Sequence, residues 1–278
     1  MIRILVDSST DFTMAEVKEK NLYHVPLTIS LNGKDYLSGE DLTSDQFYEL
    51  LTTGEDFPKT SQPSPQAFAE IFEKAKENGE EIICVLLSSA LSGTCQSAHL
   101  AKDMVDYDGI YIVDSLTATI MTRVIVDYGL QLIAQDKSAP EVVAALESIK
   151  GKVKVAAGLD TLEYLYRGGR LNKAAATIGE LANLKPVISV TEEGTVSVIG
   201  KCIGKNKSLQ FILKTLNSKD LNPAFPLYTV YACGSENTEK LEEKLAAEGY
   251  TADARLQLGS TIGAHVGPGA FGIIYVEK

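Results

Sequence analysis

Tryptophan is absent from the 278 residues, and histidine occurs only at positions 24, 99 and 265. Imidazoles this scattered do not make a zinc site, which needs His and Cys ligands clustered at short spacings. The four cysteines, Cys84, Cys95, Cys202 and Cys233, form no CxxC pair. Cys84 and Cys233 fall in apolar runs, where a free thiol behaves as a small hydrophobe. A reduced, cytoplasmic protein without metal or other cofactor is expected. No apolar run reaches the roughly 18 residues of a membrane span, and the opening residues lack the signal-peptide pattern. Positive charge is also scarce: 26 Lys and Arg against 37 Asp and Glu give a net charge of −11, which argues against nucleic acid as partner. The phosphate loop GxxxxGK[ST], a strand-led GxGxxG, the GxSxG elbow and HExxH are all missing.

What the chain does have is apolar mass: 45% of its residues are hydrophobic, enough for one large core or two medium ones. Its charge is uneven. Between Arg167 and Lys207, seven basic residues meet three acids, leaving +4 there and −15 elsewhere. Such a segment reads either as a solvated face or as a basic rim around an anion or a docking surface.

Residues 2–6 read as a strand ending in Asp7-Ser8-Ser9-Thr10-Asp11. An aspartyl-phosphatase start would need Asp at position 9 and a DxSxS metal loop would need Ser at position 11, so both motifs fail by one residue. Asn32-Gly33 predicts a hairpin. Ser64 and Pro65 open a helix that stops at Gly79. Strands at 81–87 and 110–113 alternate with helices, one spanning about 117–135, which is the pattern of a parallel sheet. Ligands bind such sheets beyond the carboxyl ends of the strands, where Asp7-Ser8, Ser88-Ser89 and Asp114-Ser115 would gather. From Val153 the texture changes: an Ala-rich helix at 173–182, a hairpin turning at Glu192-Glu193-Gly194, then mixed helices and strands. The expected architecture is α/β in two parts, a Rossmann-like parallel-sheet domain at 1–150 and an α+β domain at 151–278, with a ligand site between them.

The segment EIICVLLSSALSGTCQSA runs from a buried strand through small hydroxyl residues into a helix. The first-turn N–H groups there have no helical partner and the helix dipole favours negative charge, so Ser92 and Thr94 would join an anion site. An ordinary helix cap has the same local sequence. His265 differs from the other two histidines: it sits in GSTIGAHVGPGAFG, which reads as a flexible glycine-rich loop before the last strand. Ser92 with His265 could form a nucleophile and base, oriented by Asp7 or Asp114.

Taken in order, ILVDSSTD, TSQPSP, SSALSGTCQSA, YIVDSLT, DTLEYLYRGGRL, LKPVISV and GAHVGPGA resemble the DegV family. The resemblance covers nearly the whole chain. It implies a fatty-acid-binding subunit like that of bacterial fatty acid kinase, which encloses a long-chain fatty acid such as palmitate or oleate between two α/β domains. Such a subunit presents the carboxylate to a separate ATP-using kinase subunit, for acyl-phosphate formation in phospholipid synthesis. It is not itself the catalyst. Carried over by motif, the carboxylate ligands are Thr60, Ser92 and His265, with Ser61 and Gly93 beside them as backbone donors. Where the family often has arginine in a GKxRG-like segment, this chain has Ile203, leaving Lys201 or Lys205 to supply the charge. Arg170 is a candidate for docking the kinase, and transient contact with a membrane surface is expected. Two other readings stay open: a stand-alone Ser/His acyl hydrolase, and a binding module for another anionic amphiphile or a small phosphate.

Overall fold

The structure, a computed structural model, describes residues 1–171 and 183–278; the helix expected at 173–182 lies outside the described residues. In the first half, the strands are β1 (Ile2–Asp7), β2 (Tyr23–Val25), β3 (Thr28–Leu31), β4 (Lys34–Leu37), β5 (Lys59–Ser61), β6 (Glu81–Leu86) and β7 (Ile110–Asp114). Between and after them run α1 (Met14–Glu19), α2 (Ser44–Thr53), α3 (Pro65–Asn78), α4 (Thr94–Val105), α5 (Ile120–Ile133) and α6 (Ala139–Ile149). β1, β6 and their neighbours form a four-stranded parallel sheet in the order β2-β1-β6-β7. Its central strands, IRILVD and EIICVL, are nearly continuous apolar runs because helices cover both faces. β4-β3-β5 form a small antiparallel sheet, turned at Asn32 and Gly33, both in the left-handed region as a tight hairpin requires.

Chain order reverses between β1 and β6, and there the strand ends gather as the motifs predict. The buried Asp7 carboxylate accepts from the Leu87 N–H at 2.7 Å and the Ser9 N–H at 2.8 Å, and Asp114 accepts from the Ser89 N–H at 3.1 Å. The helix expected from about residue 117 starts only at Ile120. Leu116 and Thr119 have φ of 51° and 59°, a left-handed turn that no helix admits.

The second half carries β8 (Val153–Gly158), α7 (Glu163–Arg167), β9 (Leu184–Val190), β10 (Val196–Ile203), α8 (Lys205–Asn217), β11 (Tyr228–Tyr231), α9 (Glu236–Ala247), β12 (Ala254–Gln257), α10 (Ser260–Val266) and β13 (Phe271–Val276). Six strands make one mixed sheet, β10-β9-β8-β13-β11-β12. The two-residue period sorts its side chains: Ala156, Ile273 and Tyr275 pack under α8 and α9, while Val155, Ala157 and Ile274 face the first half. On that second face one core runs across the chain, joining Ile4, Val85 and Val113 to Val155, Ile188 and Ile274. The tip of the β9–β10 hairpin closes over the seam. Gly194, at φ 78°, accepts from the Ser88 Oγ at 2.9 Å, and a Cβ at Gly194 would stand 2.1 Å from that oxygen.

Candidate functional site

A cavity of about 90 Å³ lies on this seam, within about 830 Å³ of loosely filled space that includes its mouth. Its deep walls are apolar and buried: Val155, Ala157, Ile188 and Val230 from the sheet, Leu87 and Met121 from the first half. The polar side chains in its lining are Thr60, Ser92, Thr119, Arg170, Thr261 and His265.

Four of these converge at the half-exposed end. Thr60 lies on β5, in register with Ile29, and its Oγ1 is 2.8 Å from His265 Nε2. Strand alternation turns the neighbouring Ser61 side chain out to solvent. Ser92 precedes α4 and its Oγ is 2.9 Å from Thr94 Oγ1. Gly93 is the N-cap of α4 with no side-chain cap bond, and the Gln62 amide lies across it so closely that a Cβ would meet Oε1 at 2.0 Å. Gln62 Nε2 then donates to Ser97 Oγ at 2.9 Å, fastening the TSQP segment to the start of α4.

His265 stands on α10, so GSTIGAHV is a helix rather than the loop its glycines suggest. Those glycines serve packing. At Gly263 a Cβ would stand 2.6 Å from Tyr48 Oη, and at Gly267 2.5 Å from the Tyr164 ring. The imidazole is pressed against Gly168, where a Cβ would sit 2.2 Å from Nδ1. That Nδ1 is buried without a hydrogen-bond partner among the described residues. Burial, aided by the nearby positive charge of Arg170, brings the His265 pKa down to about 4. At neutral pH the ring is therefore uncharged.

The cation comes from Arg170. Gly169 at φ 74° reverses the chain after α7, and Arg170 turns back to the cavity. Its Nε donates to the Leu91 carbonyl at 2.9 Å and its Nη1 to the Gly168 carbonyl. Five N–H donors on a guanidinium leave others to face the cavity. Lys201 and Lys205, the expected substitutes at the headgroup, do not line it. Lys201 is exposed on β10, and Lys205 pairs with Asp160 at 3.4 Å. Ile203, at the position of the missing arginine, is 49% exposed on the same edge strand.

Ser92 and His265 line one cavity, yet their hydrogen bonds run to Thr94 and Thr60 rather than to each other. Asp7 and Asp114 hold backbone amides of the strand-end loops and do not orient the imidazole. The arrangement is thus a set of donors converging on one end of an apolar slot. Sequence motifs mark Thr60, Ser92 and His265; the apolar lining, including Val155, Ala157 and Leu159, follows the two-residue period of VKVAAGL and carries no motif. Among the described residues no cluster of metal-ligating side chains occurs, and no helix is long and apolar enough to cross a membrane.

The family described as "uncharacterised protein, DegV family" matches residues 1–278. The chain belongs to the DegV family. A DegV domain-containing protein of Caldanaerobacter subterraneus subsp. tengcongensis is 33% identical over 100% of this chain and 99% of its own length. The solved structure of a DegV family protein from Thermus thermophilus, described as fatty acid binding, superposes with TM-score 0.88 at 31% identity, covering 100% of this chain and 99% of that one. A stearic acid-binding protein from Eubacterium ventriosum superposes with TM-score 0.89 at 26% identity, again covering 100% and 99%. The α/β fold, parallel sheet first and α+β part second, is that of these DegV structures.

Proposed function

We propose that this DegV protein is a fatty-acid carrier. It encloses a long-chain fatty acid along the seam, grips the carboxylate with Thr60, Ser92, Arg170 and His265, and offers it to a separate ATP-dependent kinase. The observation that carries the binding half is the polarity gradient of the cavity: four of its six polar side chains gather at the half-exposed end, and the deeper walls are apolar. The buried Thr119 and Thr261 spend their hydroxyls on Asp11 and Ser38. The fatty acid binding described for relatives from Thermus thermophilus and Eubacterium ventriosum supports the same ligand. Each buried methylene contributes roughly 0.8 kcal/mol, so a sixteen-carbon tail contributes on the order of 10 kcal/mol. Hydrogen bonds to the charged head contribute about 1.5–3 kcal/mol each. The tail sets affinity and the head sets direction. Ser61 and Gly93 flank the head as candidate backbone donors.

The kinase step rests on the family resemblance and on the carboxylate end facing outward, where Arg170 and the exposed Arg167 offer a docking charge. In this reading residues 1–150 and 151–278 are two domains closing on the ligand. The protein works in the cytoplasm, loads by brief contact with a membrane surface and catalyses nothing alone.

Native mass spectrometry of the purified protein, followed by lipid extraction, tests the binding half. A bound fatty acid, or uptake of added palmitate or oleate, is expected; neither appearing would refute it. Arg170→Ala should weaken palmitate binding by about tenfold or more while changing methyl palmitate binding little, since the ester carries no charge to lose. At palmitate concentrations that keep the protein loaded, acyl-phosphate formation with the cognate kinase should still fall for Arg170→Glu, and an unchanged rate would remove Arg170 from the docking face.

A further inference from the structure

The DSSTD segment after β1 matches no metal or phosphoryl motif, and the headgroup reading leaves its second aspartate without a task. Asp11 sits at φ 59°, in the left-handed region. Its Oδ2 accepts from Thr119 Oγ1 at 2.6 Å, at the start of α5. Its Oδ1 is buried, makes no well-aligned hydrogen bond among the described residues and lies against the Gly259 backbone, whose N–H still favours the carboxylate and where a Cβ would stand 2.5 Å away. Gly259 is the N-cap of α10, the helix that carries Thr261 and His265 into the cavity, and it makes no side-chain cap bond.

We propose that Asp11 is a positioning residue for the headgroup end: holding Thr119 with one oxygen and abutting Gly259 with the other, it seats α10 on the first half of the chain. The inference rests on the reading of the cavity as a fatty-acid site. Hydroxyls complete the seat. Ser260 Oγ lies 2.8 Å from Ser38 Oγ, Thr261 Oγ1 donates to Ser38 Oγ at 2.8 Å, and Ser8 Oγ is 3.0 Å from Thr261 Oγ1. These bonds are uncharged and indifferent to pH. Asp11 is different, because its carboxylate lies against the backbone of Gly259, whose N–H favours the charged form.

Several groups face the Asp11 carboxyl: Arg123 from α5, Asp7 from β1 and Tyr48 from α2. Arg123 is itself held by Glu16 at 2.5 Å and stands 3.8 Å from Asp127. Burial outweighs the hydrogen bonds and the Arg123 charge, and brings the Asp11 pKa up to about 7. Protonation near neutrality therefore removes the charge that faces the helix. His265, at about 4, titrates below that window.

The test uses the full-length, delipidated protein with cis-parinaric acid as probe. Asp11→Asn removes the charge, and Gly259→Ala drives a methyl into the same contact from the other side, so one variant serves if the other folds poorly. Both should speed amide hydrogen exchange over residues 259–266 and raise the probe's dissociation rate by about fivefold. Wild type should bind the probe more weakly at pH 6 than at pH 8, and Asp11→Asn should show no such change. Wild-type exchange and pH profile in Asp11→Asn would overturn the proposal, as would a lowered melting temperature with the pH profile unmoved. Faster exchange over 259–266 in a protein that takes up no parinaric acid would leave the seating of α10 supported and sink the fatty-acid reading instead.

Discussion

His265 is an imidazole that the fold keeps neutral. One ring nitrogen meets Thr60, the other is buried against Gly168, and its pKa falls from 6.5 to about 4. A histidine depressed in this way contributes stability that is fully present above 6.5 and is lost as the pH falls through about 4, because only the unfolded chain takes up the proton readily. An NMR titration of the three imidazoles in lipid-free protein should therefore show His265 with a midpoint near 4. A midpoint at the ordinary histidine value would mean the ring is not desolvated as the structure places it. Adding a fatty acid should move the midpoint upward, since a carboxylate at this end favours the charged ring. Of the residues at this end, Thr60, Ser92 and His265 were legible because short motifs surround each of them. Arg170 was legible as a candidate docking charge in a basic segment, but not as a side chain lining the cavity. What turns it inward is the left-handed backbone at Gly169, and a sequence does not show where a reversed chain will point.

At the scale of elements, the glycine pair Gly168-Gly169 does two jobs with one spacing. Gly169 permits the turn after α7, while Gly168 makes room for the His265 ring. Gly168→Ala, with an ordinary φ of −72°, should be tolerated by the backbone and yet displace the imidazole. Fatty-acid affinity should fall by about tenfold with a loss of stability near 1 kcal/mol, measured by ligand titration beside a urea melt. Unchanged affinity would show that the ring can move aside freely. The strands and helices themselves were largely readable: the apolar runs at β1 and β6, the Asn32-Gly33 turn, and the Ser64-Pro65 start of α3 all formed as their chemistry requires. α10 was not, because glycines that accommodate Tyr48 and Tyr164 look, in a sequence, like the glycines of a loop. The late start of α5 was hidden for a related reason. Thr119 bonds Asp11, a residue 108 positions away, and local propensity carries no trace of such a tie.

Across the whole molecule, two sheets share one core, and the cavity lies inside it. Residues from β1, β6 and β7 pack in the same apolar cluster as residues from β8, β9 and β13. Unfolding should accordingly be a single calorimetric transition even though the chain divides into two halves, and two resolved transitions would show that the shared core does not couple them. Palmitate at a hundred times its dissociation constant should add about 2.7 kcal/mol to that stability and raise the melting temperature. The change from a parallel to a mixed sheet was visible in the sequence as a change of texture near Val153. The common interior of the two halves was not, because bringing Val85 and Ile188 into one apolar cluster depends on how two separately patterned sheets meet.

Because the slot is cut into the shared interior, a fatty acid filling it as proposed would also become a piece of the protein's own architecture, like a keystone set between two leaning walls. An empty copy and a full copy must then differ in firmness as well as in contents. On the proposed reading, a filled slot should hold the β9–β10 hairpin tip more firmly on Ser88 than an empty one, and slower amide exchange at the tip on adding fatty acid is the measurement that checks it.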